Sequence, residues 1–307
     1  MNALITGVSG FVGPYLADHL LEENHHVSGF DKYENELNGV RVYKADILDK
    51  KKVFSIVAET KPDCIFHLAA QSSVEKSFEM PDLTMRVNVE GTKNLLDAVA
   101  ESKISPSILI VSSAQVYGIP KKIPIKENHP LQPNSPYAES RVRQEELAWE
   151  YQKKYDMNIV ISRSFNHTGP RQQPSFVCSD FAKQIAEIEK NLKKPSINVG
   201  NTDVRRDFTD VRDVVRAYLL AVEKCKPGEA YNICSGGDVS VKKILDILLS
   251  MSDTEIKVVH DEKKKRTSDI PVLVGDNSKF RKQTNWSLKI PMEKTLEDLL
   301  SYWRDNT

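Results

Sequence analysis

The sequence has few cysteines and no pattern that is typical of a metal site. Only four of the 307 residues are cysteines, at positions 64, 178, 225 and 234, and no two of them form a Cys-x-x-Cys pair. Cys64 and Cys234 stand in apolar, strand-like runs, where buried thiols are more common than disulfides. The seven histidines show no ligand spacing with cysteines or acidic residues. We therefore expect a reduced, cytoplasmic protein without a metal ion.

The chain also lacks an excess of charge and a long hydrophobic run. Lys and Arg together number 43, as do Asp and Glu, so the formal net charge is zero. Without a basic stripe, neither a nucleic-acid surface nor a membrane surface is expected. The dense basic cluster at residues 263–266 is interpreted as mostly a solvated loop. No apolar run approaches the length of a membrane span, and we expect no signal peptide before the first apolar segment.

A glycine-rich loop near the start of the chain is the most informative motif. Residues 3–13 read ALITGVSGFVG, a short apolar strand that runs into glycines. A helix is predicted over residues 14–23, and Pro14 is tolerated in its first turn. A strand, loop and helix in this order hold a dinucleotide pyrophosphate at the helix N-terminus. The predicted cofactor-binding residues of the loop are Gly7, Gly10, Phe11, Val12 and Gly13.

The second predicted strand ends in an acidic residue, Asp31. It stands about 20 residues after the glycines, where a carboxylate accepts hydrogen bonds from the adenosine ribose. This position favours NAD as the cofactor over NADP. Lys32 and Arg41 leave some room for the 2′-phosphate of NADP, and Asp31 could alternatively be a turn residue only.

The first half of the chain alternates predicted strands and helices. This order is typical of a doubly wound α/β fold, a parallel (Rossmann) sheet covered on both faces, with ligands beyond the carboxyl ends of its strands. We expect residues 1–163 to form the dinucleotide-binding domain, to which the chain returns around residues 204–227. A smaller α/β substrate-binding lobe is expected mainly from residues 164–203 and 228–307. The predicted strands of the first half are 2–6, 26–30, 40–43, 64–68, 107–112 and 158–163, and the predicted helices are 14–23, 50–60, 88–102 and 137–155.

Three candidate catalytic residues follow the fifth predicted strand. Ser113 stands at the end of that strand, and Tyr137 and Arg141 stand four residues apart near the start of a long helix. That spacing places both side chains on one helical face. Ser113 can bond a carbonyl oxygen, Tyr137 can exchange a proton with it, and a nearby cation lowers the pKa of a phenol. The alternative is a helix-starting tyrosine beside a surface arginine.

With these residues, the chain resembles the extended short-chain dehydrogenase/reductase family over essentially its whole length. The resemblance rests on the glycine loop and on HLAA (67–70), NVEGT (88–92), SSAQVYG (112–118) and SPY (135–137). It implies a nucleotide-sugar enzyme with a tightly held nicotinamide cofactor. Further cofactor-binding residues that it implies are Asp46, Ile47, Leu68, Ala69, Ala70, Asn88, Tyr137 and Arg141.

Two departures from the family pattern bear on the reaction. Arg141 replaces the family's lysine; it keeps the positive charge, but it is bulkier and permanently protonated, so altered activity is expected. The Asp-Glu pair of the family's 4,6-dehydratases is replaced by Ala114 and Gln115, neither of which can do that acid–base work. The remaining reactions need only hydride transfer at C4 and are those of a 4-keto-sugar reductase or a 4-epimerase.

The second half looks like the GDP-mannose branch of the family. The strings FNHTGP (165–170), DFAKQI (180–185) and RDFTDVRD (206–213) carry this resemblance. It implies reduction of GDP-4-keto-6-deoxy-D-mannose to GDP-D-rhamnose, with a UDP- or GDP-hexose 4-epimerase or a non-catalytic sugar-nucleotide-binding protein as alternatives. The substrate-binding residues that it implies are Ser73, Ser113, Asn166, Val177, Lys183, Arg206 and Arg266.

A homodimer with a four-helix interface is also expected from the resemblance. The predicted helices 88–102 and 137–155 carry apolar residues that could be exposed, namely Leu95, Leu96, Ala148 and Trp149. The alternative is that these side chains face the sheet of their own chain.

Overall fold

The computed structural model describes residues 1–33, 36–261 and 270–307. In chain order its strands are β1 Asn2–Thr6, β2 His26–Asp31, β3 Val40–Lys44, β4 Cys64–His67, β5 Ser107–Ser113, β6 Asn158–Ser164, β7 Asn166–Thr168, β8 Ser196–Val199, β9 Arg205–Arg206, β10 Phe208–Asp210, β11 Ala230–Ile233, β12 Val239–Ser240, β13 Lys257–His260 and β14 Val272–Leu273. The main element is a seven-stranded parallel sheet in the order β11-β6-β5-β4-β1-β2-β3.

Helices cover both faces of this sheet. They are α1 Val12–Glu22, α2 Lys50–Thr60, α3 Val74–Glu79, α4 Pro81–Met85, α5 Gly91–Glu101, α6 Pro136–Tyr155, α7 Val177–Glu189, α8 Val211–Lys224, α9 Val241–Leu249, α10 Ser278–Thr284 and α11 Met292–Asn306. One face of the sheet carries α1 and α8, and the other carries α2, α5 and α6; each face has its own buried apolar cluster. A π-helical turn, Arg86–Glu90, precedes α5, and a 3₁₀ turn, Ala114–Tyr117, follows β5. The predicted doubly wound fold is confirmed.

A smaller lobe has its own core. Helices α7, α9 and α11 pack together around Phe181, Ile185 and Leu248, all buried. The β8–β13 pair and the three-stranded β12-β9-β14 sheet lie in the same part of the chain. The smaller α/β lobe predicted from the sequence is therefore present.

The range predicted mainly for the smaller lobe, residues 228–307, contains one strand of the large sheet. This strand, β11, is the edge strand of that sheet and pairs in parallel with β6. The buried Tyr231 and Ile233 of β11 and Phe280 of α10 join the cluster beneath α1 and α8. A four-residue strand carries no sign of the sheet it will join, because that depends on a partner about 70 residues away. Otherwise the boundaries stay a prediction.

The structure corrects one expectation, which concerns the predicted dimer residues. Leu95, Leu96 and Ala148 are fully buried against the sheet of their own chain, and Trp149 is half-buried and packs on the same cluster. Leu95, Leu96 and Ala148 therefore face the sheet, as the alternative states, and only Trp149 keeps part of its surface exposed. An amphipathic helix presents its apolar face to its own core first.

Two further expectations can be compared with the structure. All four cysteines are buried and free, as predicted for Cys64 and Cys234, and burial raises the pKa of the Cys64 thiol to about 12. Across the described ranges, no helix combines the length and the apolar character that crossing a bilayer requires.

Candidate active site

The glycine loop passes close to the segment that follows β4. Gly7 has a φ of +70°, and a Cβ atom there would lie 2.9 Å from the backbone of Ala69. A Cβ atom at Gly13 would lie 2.2 Å from the carbonyl oxygen of Val8, at the start of α1. Side chains are therefore excluded at both positions, so the loop can turn tightly and the helix can approach the strand.

The loop fits a pyrophosphate. Helix α1 begins at Val12, and no side chain caps its first turn, so backbone N–H groups are available to an anion. Phe11 and Gly10 lie just before this helix, and Gly10 N donates to Gly7 O at 3.1 Å. The hydroxyl of Ser9 is buried without a hydrogen-bond partner. A bound phosphate would supply the acceptor that this hydroxyl lacks.

Asp31 lies at the end of β2 and faces this loop. Its carboxylate accepts hydrogen bonds from the backbone N–H groups of Ser9 and Tyr33, both at 3.2 Å. It therefore places a negative charge beside the loop and holds the loop in position. Lys32 and Arg41, the two cations that could bind the 2′-phosphate of NADP, each lie near a carboxylate. Lys32 Nζ is 3.8 Å from Asp46 Oδ2, and Arg41 forms a 2.6 Å ion pair with Glu59.

The other predicted cofactor-binding residues lie at the carboxyl ends of the neighbouring strands. Leu68 N and Ala69 N donate to the backbone oxygen and the hydroxyl of Thr6 at 3.2 and 3.0 Å. Asp46 follows β3 and accepts from Leu48 N at 3.0 Å, and Ile47 is buried with its side chain facing Gly91. The ends of β2 and β4 thus lie against the glycine loop, as is typical of a dinucleotide site.

The catalytic candidates lie at the end of β5. Ser113 is the last residue of β5, and its hydroxyl accepts from Gln115 N at 3.2 Å. Tyr137 stands in the first turn of α6, where Ser135 caps the helix by accepting from Ala138 N at 3.1 Å. Arg141 donates from Nη1 to the carbonyl oxygen of Val111 in β5 at 3.0 Å, which ties α6 to the strand that carries Ser113.

Arg141 lies beside Tyr137 on the same face of α6, as the four-residue spacing predicts. Its guanidinium carbon is 5.2 Å from the centre of the Tyr137 ring. Arg141 is only 4% exposed and Tyr137 only 6%. The alternative of a surface arginine is therefore wrong.

Asn88 lies in the π-helical turn and is fully buried. Its side-chain oxygen accepts from Gln71 N at 2.8 Å, and its amide nitrogen donates to Gln71 O at 3.1 Å and to Ser140 Oγ at 2.8 Å. It thus joins the segment after Ala70 to helix α6. Ser73 belongs to the same segment: its N–H donates to Gln71 Oε1 at 2.6 Å, and its hydroxyl caps α3. π-helical turns are frequent at functional sites.

A buried polar chain behind these residues was not predicted from the sequence. The hydroxyl of Thr6 and that of Thr92 each lie 2.8 Å from a ring nitrogen of His67. Gln144 Nε2 donates to Thr92 Oγ1 at 2.7 Å, and Arg141 Nη1 donates to Gln144 Oε1 at 2.8 Å. Burial, with a smaller contribution from the charge of Arg141, lowers the pKa of His67 to about 3. The signal that could have pointed to this hydrogen-bond chain is the occurrence of two polar residues, Thr6 and His67, at the ends of otherwise apolar strands.

A second unpredicted feature joins the glycine loop to β7, the strand that carries the predicted substrate-binding residue Asn166. The ring of Phe11 stacks on that of His167, with centroids 6.1 Å apart and planes at 6°. Tyr15 donates from its hydroxyl to the carbonyl oxygen of Pro170 at 2.8 Å, and burial raises its pKa to about 12. Asn166, in β7, therefore lies in a segment that contacts the start of α1.

The remaining predicted substrate-binding residues lie in or beside the smaller lobe. Val177 begins α7, and Arg206 is in β9, where its Nη1 donates to the carbonyl oxygen of Ile270 at 2.5 Å. Lys183 lies over the ring of Trp303 at 5.3 Å and forms a 3.6 Å ion pair with Glu187. Arg266 and the basic cluster at residues 263–266 lie outside the described residues.

Comparisons with known proteins agree with this geometry. The family model described as GDP-mannose 4,6 dehydratase matches residues 4–299. The GDP-6-deoxy-D-mannose reductase of Pseudomonas aeruginosa is 31% identical over 301 residues, which are 97% of this chain and 96% of that protein.

Two solved structures extend the comparison. The structure of RMD from Pseudomonas aeruginosa complexed with NADPH has a TM-score of 0.89 at 30% identity, with 100% of both chains covered. The UDP-glucose 4-epimerase of Thermus thermophilus, in complex with NAD, has a TM-score of 0.90 at 26% identity and the same coverage. Because the family model spans nearly the whole chain and the fold and loop geometry agree with it, the chain belongs to the GDP-mannose 4,6 dehydratase family, whose members are NAD(P)-dependent nucleotide-sugar enzymes of the extended short-chain dehydrogenase/reductase type.

Proposed function

We propose that this enzyme reduces the C4 ketone of GDP-4-keto-6-deoxy-D-mannose and forms GDP-D-rhamnose. One observation carries the proposal. Arg141 lies beside Tyr137 and binds Val111 of β5, the strand that ends at Ser113, while the two positions after Ser113 hold a buried Ala114 and an amide, Gln115. The site can therefore protonate a carbonyl oxygen, but it lacks the acid pair that elimination of water requires. The 31% identity to a GDP-6-deoxy-D-mannose reductase supports the same reaction.

The three side chains have separate roles. The Ser113 hydroxyl already accepts from Gln115 N, so its own proton is free to bond the substrate oxygen. The Tyr137 hydroxyl has no hydrogen-bond partner among residues 1–33, 36–261 and 270–307, and it donates its proton as negative charge develops on that oxygen. Arg141, beside the ring, stabilises the phenolate that remains. When bound, the reduced nicotinamide supplies the hydride that C4 receives.

For the cofactor we propose NADH or NADPH, bound between the glycine loop and the strand ends. The excluded Cβ positions at Gly7 and Gly13 and the unpartnered Ser9 hydroxyl support this placement. The carboxylate of Asp31 beside the loop favours NADH. The solved relatives complexed with NADPH and with NAD support both forms.

For the substrate we propose a GDP-linked sugar that contacts both lobes. Asn166 supports this placement, because its strand contacts the start of α1 through Phe11 and His167. Guanidinium groups such as that of Arg206 bind a diphosphate with paired hydrogen bonds. Ser73, Val177, Lys183 and Arg266 complete the proposed set.

The test is the variant Tyr137→Phe. We expect kcat for reduction of the keto-sugar to fall by about 10²–10⁴, while the Kd for NADH stays unchanged, because the phenyl ring keeps its place. Tyr231→Phe is the matched control: this tyrosine is also buried, but it lies in β11 and its hydroxyl accepts from Lys226 N. Turnover of Tyr137→Phe close to that of the wild type would contradict the proposed role.

A hexose 4-epimerase is the second candidate, because the Thermus thermophilus epimerase shares the fold at a TM-score of 0.90. An epimerase regenerates its cofactor in each turnover, whereas a reductase consumes one reduced cofactor per product. Incubation with UDP-glucose or GDP-mannose and without added reductant separates the two. Binding of sugar nucleotides without turnover under either condition would favour a non-catalytic protein.

We also propose that the protein is a cytoplasmic homodimer. The four free, buried thiols are compatible with a reducing compartment. The dimer rests on the family resemblance, since the helix residues first considered for it are buried within the chain. Light scattering after size-exclusion chromatography measures the number of chains directly.

A further inference from the structure

Arg141 is a buried cation that is held by neutral groups. Both hydrogen bonds of Nη1 go to uncharged acceptors, Val111 O at 3.0 Å and Gln144 Oε1 at 2.8 Å. No ion pair within residues 1–33, 36–261 and 270–307 includes Arg141. Its Nε is buried without a partner. A buried donor without an acceptor is costly, so the guanidinium is arranged for a group that these residues do not supply.

We propose that Gln144 is a positioning residue, which orients the guanidinium of Arg141 toward the ribose of the bound dinucleotide. The inference rests on the proposed function, because it needs the dinucleotide to bind beside Tyr137. Gln144 and Val111 engage one nitrogen, Nη1, and leave Nε and Nη2 as the donors for the ligand. A guanidinium is a rigid, planar group, so fixing one edge of it also fixes the direction of the others.

The orientation of the Gln144 amide follows from its neighbours. Thr92 donates its only hydroxyl proton to the carbonyl oxygen of Asn88 at 2.7 Å. Its oxygen must therefore accept from Gln144, which requires the NH₂ group of the amide to face Thr92 at 2.7 Å. The amide oxygen then faces Arg141. A flipped amide would place two donors against each other at Arg141, so a single arrangement satisfies both ends.

The same reasoning extends this chain of hydrogen bonds to β1, the strand that precedes the glycine loop. Because Thr92 accepts, His67 must donate to it from Nε2, and Nδ1 of the neutral ring accepts from the hydroxyl of Thr6 at 2.8 Å. Thr6 in turn accepts from Ala69 N at 3.0 Å. Every hydroxyl and amide from Thr6 to Gln144 has a defined direction. The position of Arg141 is thereby connected to β1 and β4, which carry the proposed cofactor site.

The experiment is a double-mutant cycle on dinucleotide affinity. NADH and NADPH are titrated into the wild type, Gln144→Met, Arg141→Met and the double variant, with fluorescence as the signal. Methionine matches glutamine in length, is shorter than arginine, and removes the hydrogen bonds of either side chain. If Gln144 acts through Arg141, Gln144→Met raises the Kd about tenfold in the wild type, as loss of one hydrogen bond to a charged group implies. In the Arg141→Met background it changes the Kd by less than about twofold.

A structural role predicts a different result, namely an equal rise of the Kd in both backgrounds, and that result would overturn the inference. Gln184→Met is the matched control: Gln184 is a buried helical glutamine in α7 that bonds Asp180 and Lys193. The Kd values of Gln184→Met for NADH and NADPH should equal those of the wild type. This should hold even if the midpoint of thermal unfolding falls as much in Gln184→Met as in Gln144→Met.

A second measurement covers the case in which Arg141→Met binds too weakly to titrate. NMR of the arginine side chains detects the Nε–H group of Arg141, assigned by its loss in Arg141→Lys. We expect a sharp signal in the wild type that shifts when NADH is added, and a broadened signal in Gln144→Met. An equally sharp signal in Gln144→Met would overturn the inference. If the wild type binds neither NADH nor NADPH, both the proposed function and the positioning role are overturned. If the wild type binds and Gln144→Met has the same Kd, only the positioning role is overturned.

Discussion

The buried His67 should make the stability of this protein depend on pH in a predictable way. Burial, with a further contribution from Arg141, lowers the pKa of His67 from 6.5 to about 3. The unfolded chain therefore binds a proton at this residue between pH 6.5 and about pH 3, and the folded chain does not. The contribution of His67 to the free energy of unfolding is therefore fully present above pH 6.5, and it is lost as the pH falls toward 3. Between pH 7 and pH 4.5 the loss amounts to about 3 kcal/mol.

The assay compares urea unfolding of the wild type and His67→Asn at pH 7, 6, 5 and 4.5. Asparagine cannot titrate, so its cost in stability is nearly the same at every pH. We expect the wild type to be the more stable protein at pH 7 and its advantage to shrink by about 3 kcal/mol at pH 4.5. His19 and His167, whose pKa values burial also lowers, are present in both proteins and cancel in the difference.

Ile185→Val is the control for a general loss of stability. Ile185 is fully buried in the smaller lobe, and its truncation should cost about 0.5–1.5 kcal/mol at every pH. A difference between the wild type and His67→Asn that stays constant from pH 7 to pH 4.5 would refute the reasoning. It would mean that the ring is charged, or solvated, in the folded protein.

Two other substitutions test a buried ion pair between β6 and α6 and the charge beside the glycine loop. Arg163→Met removes the partner of the buried Glu145, 2.7 Å away, and should lower the free energy of unfolding by about 3–5 kcal/mol in urea titrations; a loss below about 1 kcal/mol would show that water reaches the pair. Asp31→Asn removes the negative charge beside the glycine loop and should lower the preference for NADH over NADPH about tenfold, as measured by the two Kd values. An unchanged ratio of the two Kd values would assign Asp31 to the loop structure alone.

Much of the fold could be predicted because it depends on local chemistry. The strand β1 has the predicted bounds, and five other strands begin at the predicted residue. The glycine loop and the pair of Tyr137 and Arg141 were also predictable, since a tight turn needs glycine and a four-residue spacing defines one helical face. The Ser135 cap and Pro136 mark the start of α6 in the same local way.

What could not be predicted depends on contacts between distant parts of the chain. The edge position of β11 and the burial of Leu95 were decided when the sheet and its helices came together, because an apolar residue is the same letter whether it faces its own core or a partner. The hydrogen-bond chain from Thr6 through His67 and Thr92 to Gln144 joins two strands and two helices, and its bonded neighbours are between 25 and 61 residues apart in the sequence. By itself the sequence determined the elements, the nucleotide loop and the candidate catalytic side chains, because these follow from neighbours in the chain. Only the tertiary structure decided how Arg141 is held, because the carbonyl of Val111 that accepts from it, and the hydroxyl of Thr92 that orients Gln144, belong to other elements that folding must bring within hydrogen-bond distance.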